Sequence, residues 1–338
     1  MLKKFRTILI LLLALVLGCS ITFYVLLKQN IQQPVALDAP LLVTIKPGTS
    51  FNRFSKQLVT LGVIDSRFWL RGYAKLNPTY SKIKAGTYQL LPEQRIIDVL
   101  NDVVSGKEFQ YSITFVEGST LKQWLSQLSQ HEAVVQTLDY ANKNTLYLQV
   151  GQALAIENPH PEGLFFPETY SFVHGTKDVE ILKRAQRKMT QELNDAWQNR
   201  LGNLPYQTPY QALIMASIIE KESGLLAEHQ TIASVFVNRL HKGMRLQTDP
   251  TVIYGLGERY QGDIKRVHLK EKTAYNTYRI NGLPPTPIAM PGKSAIIAAL
   301  QPEDTDYYYF VSNGSGQHIF STNLQDHNKA VRQYLLSN

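Results

Sequence analysis

The sequence of 338 residues contains a single cysteine, Cys19, which lies in an apolar run near the N-terminus. The rest of the chain can therefore form no disulfide, thiolate nucleophile or thiolate zinc site. The eight histidines lack the HExxH spacing of zinc hydrolases. Gly255 and Gly257 are not followed by the third glycine of a dinucleotide-binding loop. We therefore expect neither a metal nor a cofactor.

The chain carries little net charge once its N-terminus is set aside. Lys3, Lys4, Arg6 and Lys28 supply half of the net charge of +8, and residues 1–28 contain no acid. The +4 that remains is too small for its size to indicate a nucleic-acid partner.

Residues 7–27 contain no charged side chain and are long enough to cross a bilayer as a helix. The basic residues before them predict a cytoplasmic tail over 1–6, with the rest of the chain outside. A cleaved signal peptide is the alternative, because small residues surround Cys19. The apolar run continues to Leu27, which favours a retained single-pass anchor in the cell (inner) membrane and a periplasmic, or extracytoplasmic, remainder.

The part outside the membrane is long enough for two domains. In chain order, the patterns predict a linker over 28–40, a strand over 42–45, helices over 51–61 and 66–76, and a strand over 85–90. These elements form a small β-α-α-β module within 41–109. We expect 110–338 to be a larger mixed domain, which gives an α+β fold class.

An apolar helix that ends in acidic residues is the most informative segment. It is predicted from Pro209 to Glu220, and its lack of a polar face indicates that it is buried. Thr208 is the predicted N-cap, Gln211 completes a capping box, and Gly224 suits the stop.

A carboxyl at the end of a buried helix loses hydration, which raises its pKa and lets it act as a general acid. Glu220 is our candidate for this role. A structural ion pair with Arg239 or Arg245 is the alternative. Glu222 lies about 200° further around the helix and should point away from the cleft of Glu220.

Two other acids, Glu162 and Glu168, are further candidates for the acid. They lie in a segment rich in proline and glycine, which is more typical of a groove wall.

Polar and aromatic loops after this helix are suited to binding a sugar. Residues 244–254 are expected to be irregular because they contain Pro250. Sugar hydroxyls take bidentate hydrogen bonds, and pyranose rings lie on aromatic faces. We therefore predict saccharide contacts from a set of five residues: Gln247, Asp249, Tyr254, Asn276 and Tyr278. Asp249 alternatively fixes its own loop.

Five motifs, in this order, resemble the endolytic murein transglycosylase family, also called YceG-like. They are ASIIEKE at 216–222, SVFVNRL at 234–240, MRLQTDPTVIYG at 244–255, YNTYRINGLPPTPI at 275–288 and HIFSTNLQDHN at 318–328. The resemblance covers about 161–327, with weaker features back to about 41. It implies that Glu220 is the catalytic acid and that 41–109 is a LysM-like module that binds glycan strands. A small domain that only packs on the catalytic one is the alternative for 41–109.

The resemblance also implies a reaction, cleavage of peptidoglycan between MurNAc and GlcNAc without added water. One carboxyl suffices for it: the acid protonates the glycosidic oxygen and then, as base, deprotonates the C6 hydroxyl that closes a 1,6-anhydro ring. A glycoside hydrolase normally needs two carboxylates.

We therefore expect a membrane-anchored lytic transglycosylase, a lyase that terminates nascent strands. Its expected partners are glycan strands, the membrane and peptidoglycan synthases. The alternatives are a hydrolytic muramidase with the same site and a non-catalytic wall-binding scaffold.

Overall fold

The computed structural model of the chain describes residues 2–157 and 160–334. These residues form a mixed α+β structure, as predicted. The chain divides into an N-terminal unit of residues 1–111 and 171–174 and a C-terminal unit of residues 112–170 and 175–338.

The N-terminal unit contains the predicted order of strand, helix, helix and strand. Its elements are α1 (Leu2–Ile31), β1 (Leu41–Ile45), α2 (Phe51–Thr60), α3 (Arg67–Leu76), β2 (Gly86–Leu90) and α4 (Ile96–Ser105). Strands β1 and β2 pair antiparallel, with Val43 opposite Tyr88. Helix α4 contributes Leu100 and Val103 to the same core. The LysM-like character of this unit stays a prediction.

Helix α1 is long and apolar enough to cross a membrane, with a mean hydropathy of 2.7 over its most apolar stretch. Residues 2–26 are exposed, whereas Leu27 and Ile31 are buried in the core of the N-terminal unit. Leu27 lies so close to Gly72 of α3 that a Cβ there would be 2.9 Å from its Cδ1. The helix therefore continues past the predicted span, and its last turns pack on the folded unit.

The segment predicted to be a linker, 28–40, begins inside α1 and then packs on the N-terminal unit. Val35 is 4% exposed, and its N–H donates to the carbonyl oxygen of Gln94 at 2.9 Å. The next residue, Ala36, donates in the same way to Val63 at 3.0 Å.

The C-terminal unit, including the strands at its boundary, is mostly helical. Its elements are β3 (Tyr111–Thr114), α5 (Leu121–Gln130), β4 (Val134–Val135), α6 (Leu146–Ala153), β5 (Thr169–Phe172), β6 (Thr176–Lys177), α7 (Asp178–Gln198), α8 (Pro209–Glu222), α9 (His229–His241), α10 (Asp249–Leu256), α11 (Arg266–Lys270), α12 (Lys293–Leu300), β7 (Tyr309–Ser312), β8 (His318–Ser321) and α13 (Leu324–Tyr334). Strands β4 and β6 pair parallel, and β7 and β8 pair antiparallel.

Helix α8 lies at the centre of this unit and is buried on all sides, as its sequence predicts. Every residue from Ala212 to Ile219 is buried, and the helix packs against α7, α9 and α12. The Thr208 hydroxyl accepts from the N–H of Gln211 at 3.3 Å, so the predicted N-cap is present.

Two details of α8 differ from the prediction. The predicted capping box is wrong, because the Gln211 side chain accepts from the N–H of Gln207 at 2.7 Å rather than from Thr208. The helix also continues through Glu222, with Ser223 as its C-cap and Gly224 beyond it. Both Glu220 and Glu222 therefore lie in the last turn.

The prediction that 244–254 is irregular is wrong for its second half, which forms α10. Pro250 lies in the first turn of this helix, where its missing N–H breaks no helical hydrogen bond. Threonine side chains fix the start of α10. The N–H of Thr248 donates to the Thr277 hydroxyl at 3.0 Å, and the Thr251 hydroxyl donates to the Thr248 carbonyl at 2.8 Å.

Asp178, at the start of α7, is a buried acceptor on which several donors of the C-terminal unit depend. Its carboxylate is 0% exposed and accepts from the N–H groups of Thr137 at 3.0 Å and Leu138 at 3.2 Å, and from the Tyr140 hydroxyl at 2.9 Å.

Asp178→Ala should lower the free energy of unfolding by about 3 kcal/mol or more, because these donors lose their partner. Urea denaturation of the detergent-solubilised chain measures the change. Asp195→Ala, at an exposed site on α7, is the control and should change it by less than about 0.5 kcal/mol. Equal effects would contradict the prediction.

Candidate active site

Two neighbouring residues in the last turn of α8, Lys221 and Glu222, line different depressions of the C-terminal unit. Glu222 lines a cavity of about 490 Å³, which we call the Glu222 cavity. Lys221 lines a separate cleft of about 790 Å³, which we call the tyrosine cleft after Tyr147, Tyr254 and Tyr260 in its wall. The helical spacing predicts this divergence.

The Glu222 cavity is lined by polar and aromatic side chains. Three of the five predicted saccharide contacts, Gln247, Asp249 and Tyr278, lie there with Glu222. Other polar or aromatic members of the wall are Arg239, Tyr309, Phe310, Ser312, His318, His327 and Asn328. This composition suits a ligand with many hydroxyl groups and flat apolar faces.

The Glu222 side chain is half-buried, and its Oε1 accepts a hydrogen bond from the Thr248 hydroxyl. The pKa of Glu222 is raised to about 7, chiefly by loss of hydration and to a smaller extent by the nearby Asp249. The Thr248 hydrogen bond and the charges of His318 and Arg239 oppose this rise. At neutral pH this carboxyl is therefore protonated in a large share of the molecules.

Gln247 has a strained backbone at the wall of this cavity. Its φ is +54°, which is uncommon for a residue other than glycine. The N–H of Gln247 donates to the carbonyl oxygen of Thr277 at 3.2 Å, which helps to hold the strained loop in place. Across the same wall the Tyr278 hydroxyl donates to Asp249 Oδ1 at 2.7 Å. Strain of this kind clusters at ligand-binding and catalytic sites.

The lining of the Glu222 cavity includes a buried hydrogen-bonding atom that has no partner in the protein. Among the described residues, Nδ1 of His327 is buried and has no partner. Its ring stacks on Tyr309, with 5.2 Å between the ring centroids. Burial lowers the pKa of His327, so the ring stays neutral near pH 7. A neutral imidazole nitrogen can accept from, or donate to, a hydroxyl group.

A carboxylate–imidazole pair borders the Glu222 cavity and was not predicted from the sequence. Glu228 accepts from Nδ1 of His318 at 2.7 Å and from its backbone N–H at 2.9 Å. The two residues are 90 positions apart, so no local pattern could have indicated that they pair.

The two other predicted saccharide contacts lie away from the Glu222 cavity. Asn276 is 1% exposed, and its amide nitrogen donates to the carbonyl oxygens of His268 at 3.1 Å and Glu271 at 2.6 Å. It therefore stabilises its own loop. Tyr254 lines the tyrosine cleft, and its hydroxyl donates to Glu162 Oε2 at 3.1 Å.

Glu220 is a partly buried carboxyl at the edge of the tyrosine cleft. Its Oε2 accepts from the N–H of Gly292 at 3.0 Å. A Cβ at Gly118, which lines the cleft, would lie 3.6 Å from Glu220 Cγ. Burial raises the pKa of Glu220, and the adjacent Glu117 adds to the rise. Glu220 can therefore also carry a proton, but it lies beside a different depression from Gln247, Asp249 and Tyr278.

The predicted alternative of an ion pair does not describe Glu220. The Arg239 guanidinium donates to the carbonyl oxygens of Tyr308 and Leu246, both at 2.6 Å. Arg245 donates to the carbonyl oxygen of Tyr278 at 3.0 Å. Over residues 2–157 and 160–334, neither guanidinium forms an ion pair with Glu220.

Glu162, an alternative candidate for the acid, forms the floor of the tyrosine cleft. It is 0% exposed and accepts from the N–H of Leu121 at 2.8 Å and from the hydroxyls of Tyr254 and Tyr147. Burial raises the pKa of Glu162 to about 7. Because fixed donors occupy both oxygens, this carboxyl is a structural acceptor. Glu168, the other alternative, is exposed.

A protonated carboxyl in a cavity with amide, hydroxyl and aromatic walls is typical of enzymes that cleave glycosidic bonds by acid–base catalysis. Residues 43–333 match the model of the YceG-like family, and the chain belongs to this family.

Relatives and one solved structure agree with this assignment. The chain is 31% identical over 324 residues to the endolytic murein transglycosylase of Bacillus subtilis (strain 168), covering 91% of this chain and 89% of that protein. It is 26% identical to the endolytic murein transglycosylase of Streptococcus pneumoniae, covering 87% of this chain and 58% of that longer protein. The crystal structure of a yceG-like protein from Listeria monocytogenes matches with a TM-score of 0.56 and 31% identity, covering 87% of this chain and 99% of that one.

The buried carboxyls predict how stability changes with pH. The pKa values of Glu222 and Glu162 are about 7 in the folded chain, against an ordinary value of 4.5. The folded chain therefore binds more protons than the unfolded chain in this interval, and stability falls as pH rises from 4.5 to 7. Each carboxyl contributes a fall on the order of 3 kcal/mol.

The Glu222→Gln substitution removes one contribution and should make the fall between pH 5 and 8 clearly smaller. Glu162→Gln is the matched variant and should do the same, with the two effects adding. Urea denaturation at both pH values measures this. If the free energy of unfolding falls as much in both variants as in wild type, neither carboxyl is desolvated.

Proposed function

We propose that this chain is an endolytic murein transglycosylase that cleaves between MurNAc and GlcNAc inside peptidoglycan glycan strands and leaves 1,6-anhydro-MurNAc ends. Membership of the YceG-like family and the similarity to relatives of that name support the activity. The observation that carries the proposal is the half-buried carboxyl of Glu222 in a cavity with Gln247, Asp249 and Tyr278.

The geometry favours Glu222 over the predicted Glu220 as the acid. The pKa of Glu222 is raised to about 7, which suits a group that must give and take a proton near neutral pH. It shares its cavity with three predicted saccharide contacts, whereas Glu220 accepts from Gly292 beside the tyrosine cleft. Glu220 stays the sequence-based alternative.

In the first step, protonated Glu222 donates its proton to the glycosidic oxygen as the C1–O bond breaks. The carboxylate that remains keeps its hydrogen bond from the Thr248 hydroxyl. The positive charges of Arg239 and His318 favour this charged form. The carboxylate of Asp249, whose Oδ1 accepts from the Tyr278 hydroxyl, stabilises the positive charge that develops on the sugar ring.

In the second step, the Glu222 carboxylate accepts the proton of the MurNAc C6 hydroxyl as that oxygen bonds to C1. The carboxyl regains its proton, and no water enters the product. The nucleophile belongs to the same sugar, so the high effective molarity of an intramolecular attack replaces a second catalytic carboxylate. The open nitrogen of His327 and the side chain of Gln247 serve as contacts for sugar hydroxyls.

A pair of variants tests the assignment of the acid. Glu222→Gln should lower turnover by about 10² to 10⁴, because the glutamine side-chain amide cannot transfer the proton. Glu220→Gln is the matched control on the same helical turn and should retain activity within about tenfold of wild type. The assay digests defined glycan strands and reads product masses. The reverse order of effects would assign the acid to Glu220.

The product masses also separate the alternative functions. Anhydro products have the mass of the strand fragments alone, whereas products of a muramidase are heavier by one water. Strands that bind to the protein and stay uncut would indicate a wall-binding scaffold.

We infer that α1 anchors the chain in the cell membrane, with its basic N-terminal tail in the cytoplasm. This supports a further proposal, that the enzyme acts beside membrane-bound peptidoglycan synthases and ends the elongation of nascent strands. A LysM-like role for the N-terminal unit, the capture of glycan strands, belongs to the same proposal.

Deletion of residues 2–26 tests the anchor while leaving Leu27 and Ile31, which are buried in the N-terminal unit, in place. The full chain should stay in membranes after washing with alkaline carbonate, because a spanning helix is not released by charge disruption. The shortened chain should be soluble, with unchanged activity on isolated strands. Release of the full chain by carbonate would argue against a spanning helix.

A further inference from the structure

The tyrosine cleft has a volume of about 790 Å³ and takes no part in the proton transfers proposed for Glu222. Residues that are neighbours in the sequence line the two depressions at two points. Lys221 lines the cleft and Glu222 the cavity, and Pro250 lines the cleft and Asp249 the cavity. Both depressions therefore adjoin the end of α8 and the start of α10.

The floor of the cleft has few polar groups available to a ligand. Glu162 accepts from Tyr254, Tyr147 and the N–H of Leu121, so these groups satisfy one another. The walls above them include apolar side chains from Pro250, Ile253 and Ile288. A sugar ring in this floor would leave its hydroxyls without partners, which is costly, whereas small apolar side chains fit it.

The rim of the cleft carries charges of both signs. Lys122 and Glu258 form an ion pair at 2.7 Å, and their side chains are 63% and 82% exposed. Lys221 donates to the carbonyl oxygen of Gly118 at 3.1 Å and is exposed as well. Such exposed pairs are weak and can exchange partners with a ligand. A ligand with a carboxylate and an ammonium group complements this rim, and a neutral sugar does not.

We propose that the tyrosine cleft binds the stem peptide that peptidoglycan carries on the lactyl group of MurNAc. A stem peptide combines small apolar side chains with free carboxylates and an amine, which matches the floor and the rim. The cleft then selects strands that bear peptides, while the Glu222 cavity holds the sugar. This inference rests on the proposed function, since it assigns a second part of the same substrate.

A competition assay with the full chain in detergent tests the inference. Peptide-bearing strands and strands stripped of peptides by an amidase are mixed in equal amounts, and the anhydro ends from each are counted by mass. Wild type should prefer peptide-bearing strands by about two- to fivefold, the effect of one or two exposed charge contacts. Lys122→Glu, which repels a carboxylate, and Ile253→Trp, which fills the floor, should bring the ratio close to one. Lys183→Glu, at an exposed site on α7, is the control and should leave the ratio as in wild type.

The ratio cancels any general loss of activity or folding in a variant. A wild-type ratio of one, or a preference that survives both cleft substitutions, would overturn the inference.

A binding measurement separates failure of this inference from failure of the proposed function. A synthetic stem peptide with a free amine and free carboxylates is titrated into the full chain by calorimetry, with a chitin tetrasaccharide as the comparison. We expect Lys122→Glu to weaken peptide binding about two- to fivefold and to leave tetrasaccharide binding unchanged. If the chain cuts neither strand type, yet Lys122→Glu weakens peptide binding alone, the result would contradict the enzymatic proposal and support the peptide site. A peptide that fails to bind, or binds Lys122→Glu equally well, would overturn the site.

Discussion

The site depends on a carboxyl that loses much of its hydration without being paired to a cation. Glu222 is half-buried at the end of the buried helix α8, and its close partner is the Thr248 hydroxyl. An ion pair there would hold the carboxylate in its charged form, whereas a neutral hydroxyl compensates only part of the lost hydration. The result is a pKa near neutrality, which is the property that a single acid–base residue needs.

Buried threonines connect this carboxyl to the groups around it. Thr248 is hydrogen-bonded to Thr277, and Thr251 is bonded to both of them. This network ties the start of α10 to the loop that carries Tyr278, so Gln247 and Asp249 lie on the same cavity wall as Tyr278. The loop that contains Pro284, Pro285 and Pro287 is held to α8 in a similar way, by the hydrogen bond from the N–H of Ile288 to the Ser217 hydroxyl at 3.0 Å. Satisfied networks of directional hydrogen bonds like these position the site more precisely than apolar packing alone.

The sequence predicts elements whose signals are local and misses those that need distant contacts. The all-round apolar pattern of α8 and its Thr208 cap follow from neighbouring residues. Helix α10 was missed because Pro250 disfavours a helix everywhere except its first turn. The spacing of Glu220 and Glu222 predicts that they diverge, but only the fold decides that the cavity with Gln247 lies on the side of Glu222. Glu162 could not be assigned from sequence, because Leu121 and Tyr254, which donate to it, lie 41 and 92 residues away.

The protonation state of Glu222 is the quantity on which this mechanism depends most directly. Carbon-13 NMR of the full chain labelled at glutamate side-chain carboxyls measures it, with Glu222→Gln used to assign the signal. We expect the Glu222 signal to titrate with a midpoint near pH 7. A midpoint near the ordinary value of 4.5 would mean that the carboxyl is charged at neutral pH and would contradict its role as the acid.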